Sequence, residues 1–211
     1  MIITKIQRLR GKKPRYTVLL ENAPSLELSD WIIGKYGLRT GDDLEQSELE
    51  KIQSAEAQYR AKGVAINYLS YRQRSSKEVA DHLLKKGFSR ECAVNVTEQL
   101  RASELINDKK FSEAFIKDRL QRKPIGALLL RQQLIAKGIS SKEIEPILAQ
   151  SITEKKQYES ACLAAKHKLR LIHANKKQLD NNATKKRVLD FLLRRGFSYE
   201  IASTTIRQLG T

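Results

Sequence analysis

One fifteen-residue pattern occurs three times without a gap: SSKEVADHLLKKGFS at 75–89, GALLLRQQLIAKGIS at 126–140 and TKKRVLDFLLRRGFS at 184–198. Positions five, nine, ten and fourteen are apolar in every copy: Val79, Leu83, Leu84 and Phe88; Leu130, Leu134, Ile135 and Ile139; Val188, Leu192, Leu193 and Phe197. The spacing places positions five, nine and ten on one side of an α-helix and predicts a core-facing stripe. Position thirteen is always glycine (Gly87, Gly138, Gly196), which can take the left-handed conformation that closes a helix while the next apolar residue packs back on the last turn. Position fifteen is always serine (Ser89, Ser140, Ser198), a residue whose oxygen accepts from the free amides of a following helix. Ser140 with Glu143, and Ser75 with Glu78, predict capping boxes, and Gly126 and Thr184 stand where Ser75 stands in the first copy.

Each copy is flanked by two more helical patterns. Downstream lie Ala93, Val96 and Leu100; Ile144, Ile147 and Leu148; and Ala202, Thr205, Ile206 and Leu209. Upstream lie Ala57, Ala61, Ala65, Tyr68 and Leu69; Phe111, Phe115, Ile116 and Leu120; and Tyr158, Ala161, Cys162 and Ala165, the last set followed by a polar stretch, 174–182, that reads as a loop. A three-helix unit of this size buries little by itself, so neighbours should stack. The expected fold is mainly α: three tandem three-helix repeats, at 51–106, 107–152 and 153–211, forming an elongated curved array. Residues 1–50 differ. Ile2 to Leu9 and Arg15 to Glu21 predict a β-hairpin, residues 22–25 a turn, and Leu26 to Leu28 a third short strand. Asp30 is the expected cap of a short helix closed by Gly37, and a helix from about Ser47 leads into the first repeat.

The chain carries 40 Lys and Arg against 24 Asp and Glu, a net charge of +16, and the surplus lies wholly beyond residue 50. That imbalance points to an anionic partner, nucleic acid or nucleoprotein. No stretch is apolar enough to span a membrane, so the protein is expected in the cytoplasm, as a monomer without membrane association. Cys92 and Cys162, far apart and without a C-x-x-C pair, read as small buried apolar residues; neither a metal site nor a cofactor is expected.

Motifs for nucleotide binding, zinc proteolysis and serine hydrolysis are absent, and no catalytic residue is assigned. Asp108, Glu113 and Asp118 are spaced to diverge around a helix rather than converge on a cation, and Asp108 reads as an N-cap. His82 is replaced by Gln133 and Phe191 in the other copies, which argues against a catalytic role. The candidate binding residues are cations. Lys85, Lys86, Lys137, Arg194 and Arg195 occupy the last helical turn before each glycine, where a cation also meets the helix dipole favourably. Arg72, Arg74, Arg119, Arg122, Lys123, Arg131, Lys185, Lys186 and Arg187 lie near the helix entrances. A stripe of such groups binds phosphates without reading base sequence. The hairpin loop from Arg8 to Arg15, with Lys12 and Lys13, is a separate basic candidate.

AINYL at 65–69, Arg72, Ser75, Glu78, Val79 and LLKKGF at 83–88 together resemble the first repeat of the RecX regulators of the bacterial RecA recombinase. INDKKF at 106–111, KPIG at 123–126 and KGI at 137–139 resemble that family's second repeat; the third matches more loosely. Agreement covers about residues 55 to 209, and the N-terminal module is similar to the extension of longer members. Ser112, where the family favours alanine, and the long insertion at 174–182 depart from the pattern. The resemblance implies a non-catalytic modulator that binds the RecA filament on single-stranded DNA, with nonspecific duplex contact as an extension, and damps its ATPase and strand exchange. The competing expectation is a DNA-binding module of helix-turn-helix type. The outer helix of the first repeat offers Asn95 and Gln99 to a groove, but that of the second offers Glu143 and Glu145.

Overall fold

The computed structural model describes residues 1–11, 14–174 and 180–209. Strands β1 (Ile3–Leu9), β2 (Arg15–Leu20) and β3 (Ala23–Ser29) come first, followed by helices α1 (Asp30–Tyr36), α2 (Gln46–Leu69), α3 (Ser76–Lys85), α4 (Arg90–Ala102) and α5 (Asp108–Arg122). The remaining helices are α6 (Ala127–Ala136), α7 (Ser141–Ser151), α8 (Glu154–His173), α9 (Asn181–Arg194) and α10 (Tyr199–Gln208). Two compact units result: Met1–Arg72 with Val79–Leu105, and Gln73–Glu78 with the chain from Ile106 onward.

In the first unit the strands form an antiparallel sheet in the order β1-β2-β3, with Ile6 opposite Val18 and Tyr16 opposite Leu28. Alternation along β2 turns Val18 and Leu20 inward and leaves Leu19 outside, and Ile3, Leu28, Ile32, Leu49 and Ile52 complete that core. The turn expected at 22–25 is tighter: Asn22 takes a positive φ of 58°, and β3 already begins at Ala23. Pro24 is accommodated because β3 is an edge strand with no second neighbour to bond. The cap of α1 is Ser29 rather than Asp30. Its hydroxyl accepts from the Ile32 N–H, and its own N–H and hydroxyl donate to the buried Glu56 carboxylate, each at 2.8 Å, which ties α1 to α2. α2 runs unbroken from the sheet module into the helical part: Leu49 and Ile52 serve the sheet's core, and Ala61 and Ala65 are fully buried further along, on a helix that packs against α4. His82, half-buried, stacks its ring 3.8 Å from that of the half-buried Tyr68.

In the second unit Phe111, Ile116, Leu130, Leu134, Ile139, Ile144 and Ile147 form one core, drawn from α5, α6, α7 and the turn between the last two. Ala161, Ala165, Val188, Leu192, Phe197, Ala202 and Ile206 form another, from α8, α9, α10 and the turn after α9. Four expectations are corrected. Position ten is not in the stripe: Leu84, Ile135 and Leu193 are exposed by 39%, 46% and 39%. With positions five and nine directed inward, position ten is turned about 100° further round the helix. Asn107, not Asp108, caps α5, its side chain accepting from the Lys110 N–H. The loop expected at 174–182 ends at Asp180, which caps α9, so Asn181 and Asn182 are helical and Thr184 lies buried inside the helix rather than at its entrance; residues 175–179 lie outside the described residues. Cys92 is buried as expected, but Cys162 is only half-buried.

Candidate functional site

The repeated stretches end in one shared cap. Gly87, Gly138 and Gly196 have φ of 87°, 85° and 83°. Their N–H groups donate to Leu84, Ile135 and Leu193, and the next residues, Phe88, Ile139 and Phe197, donate to Leu83, Leu134 and Leu192 at 3.2, 3.1 and 3.2 Å. This pair of bonds satisfies carbonyls that a helix end otherwise leaves open. Ser89, Ser140 and Ser198 then cap α4, α7 and α10.

Two of these caps also carry a load. At Gly138 an added Cβ would lie 2.5 Å from the Lys77 Cβ, and at Gly196 it would lie 2.3 Å from the Leu129 amide nitrogen. The first turn of α3 therefore sits on the end of α6, and the first turn of α6 on the end of α9. The polar contacts correspond. The Ser75 hydroxyl donates to the Lys137 carbonyl at 2.7 Å, and the Gly126 N–H donates to the Arg195 carbonyl at 2.8 Å. Asp108 accepts from the N–H and hydroxyl of Ser76 at 2.8 and 2.6 Å, and Gln157 accepts from the Ala127 N–H at 3.0 Å. The amides of one helix start thus meet carbonyls at another helix end, with a side chain from the following repeat supplying the remaining cap. Asp108 caps a helix, as a carboxylate there should, but α3 rather than its own.

These joints assemble cations from distant parts of the chain. Arg195 donates to the Pro124 carbonyl at 3.5 Å, and its guanidinium lies 5.3 Å over the Phe191 ring, so the α5–α6 link, which begins at Lys123, rests on the end of α9, which carries Arg194 and Arg195. Lys123 and Arg194 are exposed there. Arg119 lies 4.9 Å over Phe115, and Arg122 pairs with Asp118 at 2.9 Å. At the other joint Lys137 pairs with Glu78 at 2.6 Å beside the link that carries Arg74, and Arg131 pairs with Glu145 on α7. Lys186 and Arg187 are exposed and Lys185 half-buried on the early part of α9. In the first unit Arg72, Lys85 and Lys86 are exposed. Arg15 of the hairpin pairs with Glu27 at 3.3 Å, whereas Lys12 and Lys13 lie outside the described residues.

Glu113 is exposed, while Asp108 and Asp118 are engaged with Ser76 and Arg122; among the described residues no group of three or more His, Cys, Asp or Glu could hold a metal ion. No helix among them is long and apolar enough to cross a membrane. One feature has no signal in the linear sequence: Trp31 of α1 stacks at 5.2 Å on Tyr59 of α2, both about half exposed, with the Lys35 ammonium 4.9 Å from the indole. The partners are brought together only by the packing of α1 on α2.

Comparison with known proteins places this architecture. Residues 61–100 match the first three-helix domain of RecX, and residues 107–146 the second. Regulatory protein RecX of Streptococcus pyogenes serotype M3 is 31% identical over 205 residues, covering 97% of this chain and 77% of the relative. Its counterpart in Streptococcus sanguinis strain SK36 is 32% identical over the same length, again covering 97% and 77%. A crystal structure of regulatory protein RecX shares the fold with a TM-score of 0.74 at 23% identity, covering 97% of this chain and 98% of that one. RecX from Lactobacillus salivarius superposes with a TM-score of 0.64 at 27% identity, over 74% of this chain and 98% of that one. With two family domains matched in order and curated relatives aligned along nearly the whole length, the chain belongs to the RecX family of regulatory proteins.

Proposed function

We propose that the protein is a non-catalytic cytoplasmic regulator of the RecA recombinase, acting on the filament that RecA forms on single-stranded DNA and lowering its ATP hydrolysis and strand exchange. Family membership supports the target, and the observation that carries the mode of binding is the joint at Gly196. There Arg195 reaches the carbonyl of Pro124, next in sequence to the exposed Lys123, and the exposed Arg194 precedes it, although about 70 residues separate the two segments. Side-by-side cations at a rigid backbone contact suit phosphates of a nucleoprotein and carry no base preference. We further propose that Lys85, Lys86, Lys185, Lys186 and Arg187 extend this basic surface, with Arg72, Arg74, Arg119, Arg122, Arg131 and Lys137 contributing behind them.

The helix-turn-helix alternative has little to read with. The Gln99 amide is bonded to Gln58, Glu143 is held in the α7 capping box, and Glu145 is paired with Arg131. The deciding experiment is single-stranded-DNA-dependent ATP hydrolysis by the cognate recombinase. Inhibition is expected at or below stoichiometric regulator; unchanged hydrolysis at about tenfold excess overturns the proposal, since a filament-directed contact would then be saturated.

A further inference from the structure

The joints at Gly138 and Gly196 show what seats on the glycine cap of a repeat, and the first cap carries nothing. A Cβ built on Gly87 meets no atom within 4 Å. Among the described residues no group donates to the Lys86 carbonyl, the counterpart of the Lys137 and Arg195 carbonyls, and Lys86 forms no ion pair, whereas Lys137 holds Glu78 at 2.6 Å. The neighbouring helix is open too. Where α5 and α8 supply Asp108 and Gln157, each one turn before a buried small residue, Ser112 or Ala161, α2 has Ala57 one turn before Ala61. Ala57, Ser54, Ser89 and Cys92, with the carboxylates of Glu50 and Glu91, help to line an open groove of about 330 Å³, a lining that suits the positive amide end of a helix.

We infer that Gly87, Lys86 and the groove at Ala57 form a seat for the N-terminal turn of a helix from another protein. This rests on the reading that the target is a protein polymer, and it specifies the chemistry of the contact. The incoming helix start is small at its cap position, as Ser75 and Gly126 are, and carries a carboxylate in its first turn to meet Lys86, as Glu78 meets Lys137. Its free amides or cap hydroxyl donate to the Lys86 carbonyl. Ala57 cannot cap, so the incoming turn keeps one first-turn amide without the acceptor that Asp108 or Gln157 supplies at the other joints.

The helix that would continue the series from a second copy of this chain does not fit the seat. Its corresponding helix, α9, begins at Asn181, about a turn earlier than α3 or α6 relative to the repeated pattern, and so buries Thr184 where the seated helices present Ser75 and Gly126. The residue equivalent to Glu78 is Arg187, which would bring like charge to Lys86. α9 therefore does not continue the series at Gly87, and the seat is left to a different, acidic helix start.

Gly87→Asn tests the seat in the full chain. Asparagine tolerates the left-handed region, and its side chain has room in the free protein but occupies the space a seated turn needs. Co-sedimentation with recombinase on single-stranded DNA and nucleotide is expected to weaken by about tenfold or more, as for a central contact of an interface. Anisotropy of a labelled single-stranded oligonucleotide should not change, and the melting temperature should fall only slightly, by no more than for Gly87→Ala. Wild-type co-sedimentation that the variant retains in full overturns the seat alone; a wild-type protein that does not co-sediment overturns the regulator reading and the seat with it. Self-association of the wild type that Gly87→Asn abolishes makes the occupant a second copy and overturns the assignment to another protein. If Gly87→Asn melts early, Ala57→Asp decides instead. A carboxylate placed like Asp108 should cap the incoming turn and tighten co-sedimentation about fivefold, the size of one helix cap; unchanged or weaker binding overturns the seat.

Discussion

Gly126 and Gly196 touch backbone to backbone: a Cβ on Gly126 would lie 2.0 Å from the Gly196 carbonyl carbon. The two glycines do different work in this contact. Gly196 takes a φ of 83° to close α9, while Gly126, at φ −87°, is in a conformation open to any residue and is glycine only because the other backbone leaves no room. The N–H donated from Gly126 to the Arg195 carbonyl at 2.8 Å fixes the approach.

Gly126→Ala isolates that contact, because alanine is unstrained at φ −87°. A loss of about 3 kcal/mol is expected in chemical denaturation, the upper end of the range for overpacking a closed site. Gly87→Ala, with open space at its Cβ, should lose only about 1 kcal/mol from the positive φ. Equal losses would mean that the joint yields.

Asp108→Ala removes the acceptor of two bonds from Ser76, leaving the start of α3 with only its Ser75–Glu78 box. Destabilisation by about 1–2 kcal/mol is expected, with Asp108→Asn recovering part through its remaining oxygen. Asn107→Ala, which removes the cap of α5 itself, should cost about 1 kcal/mol. If only the Asn107 variant loses stability in urea titration, the bond between Asp108 and Ser76 contributes nothing.

Reversing Lys123 and Arg194 to glutamate should weaken binding of single-stranded DNA and lower the log–log salt slope by about 1.4, because two fewer phosphates are neutralised. Far-ultraviolet circular dichroism should not change, since both side chains are exposed. Arg122→Gln and Arg131→Gln should do less, because those guanidinium groups are already paired with Asp118 and Glu145. An unchanged slope for the double reversal would return Lys123 and Arg194 to ordinary solvated helix ends.

The two thiols should separate under alkylation. Cys92 is buried, and that burial, with a smaller contribution from the neighbouring Glu91 charge, pushes its thiol above the ordinary range; Cys162 is half-buried. Because the thiolate is the nucleophile, a thiol reagent at mildly alkaline pH should label Cys162 first and Cys92 only once denaturant is added. Peptide mapping that finds Cys92 labelled first in the native protein would contradict its placement in the first repeat's interior.

Local chemistry is legible wherever a residue type has one conformational use. Three glycines at position thirteen predict three positive φ values, three serines at position fifteen predict three N-caps, and the Ser140–Glu143 box is present. The misreadings are of another kind. Residue type and position identify Asp108 as a capping residue but point to its own helix, since its true partner, Ser76, belongs to an earlier repeat. A helical projection tolerates a broad stripe and so admits position ten to the core, whereas the small helices packed around Leu83, Leu134 and Leu192 cover only a narrow one.

What the sequence determined by itself was the unit: its helices, its caps and its triplication, all set by interactions within a few residues along the chain. The joints were decided by tertiary structure alone. Gly126 against Gly196, Ser75 on Lys137 and the gathering of Lys123 with Arg194 depend on how one helix start approaches another helix end, and no local preference records that approach. A Cβ missing for want of space and one missing for a left-handed φ are the same letter in a sequence, and only the neighbour in space tells them apart.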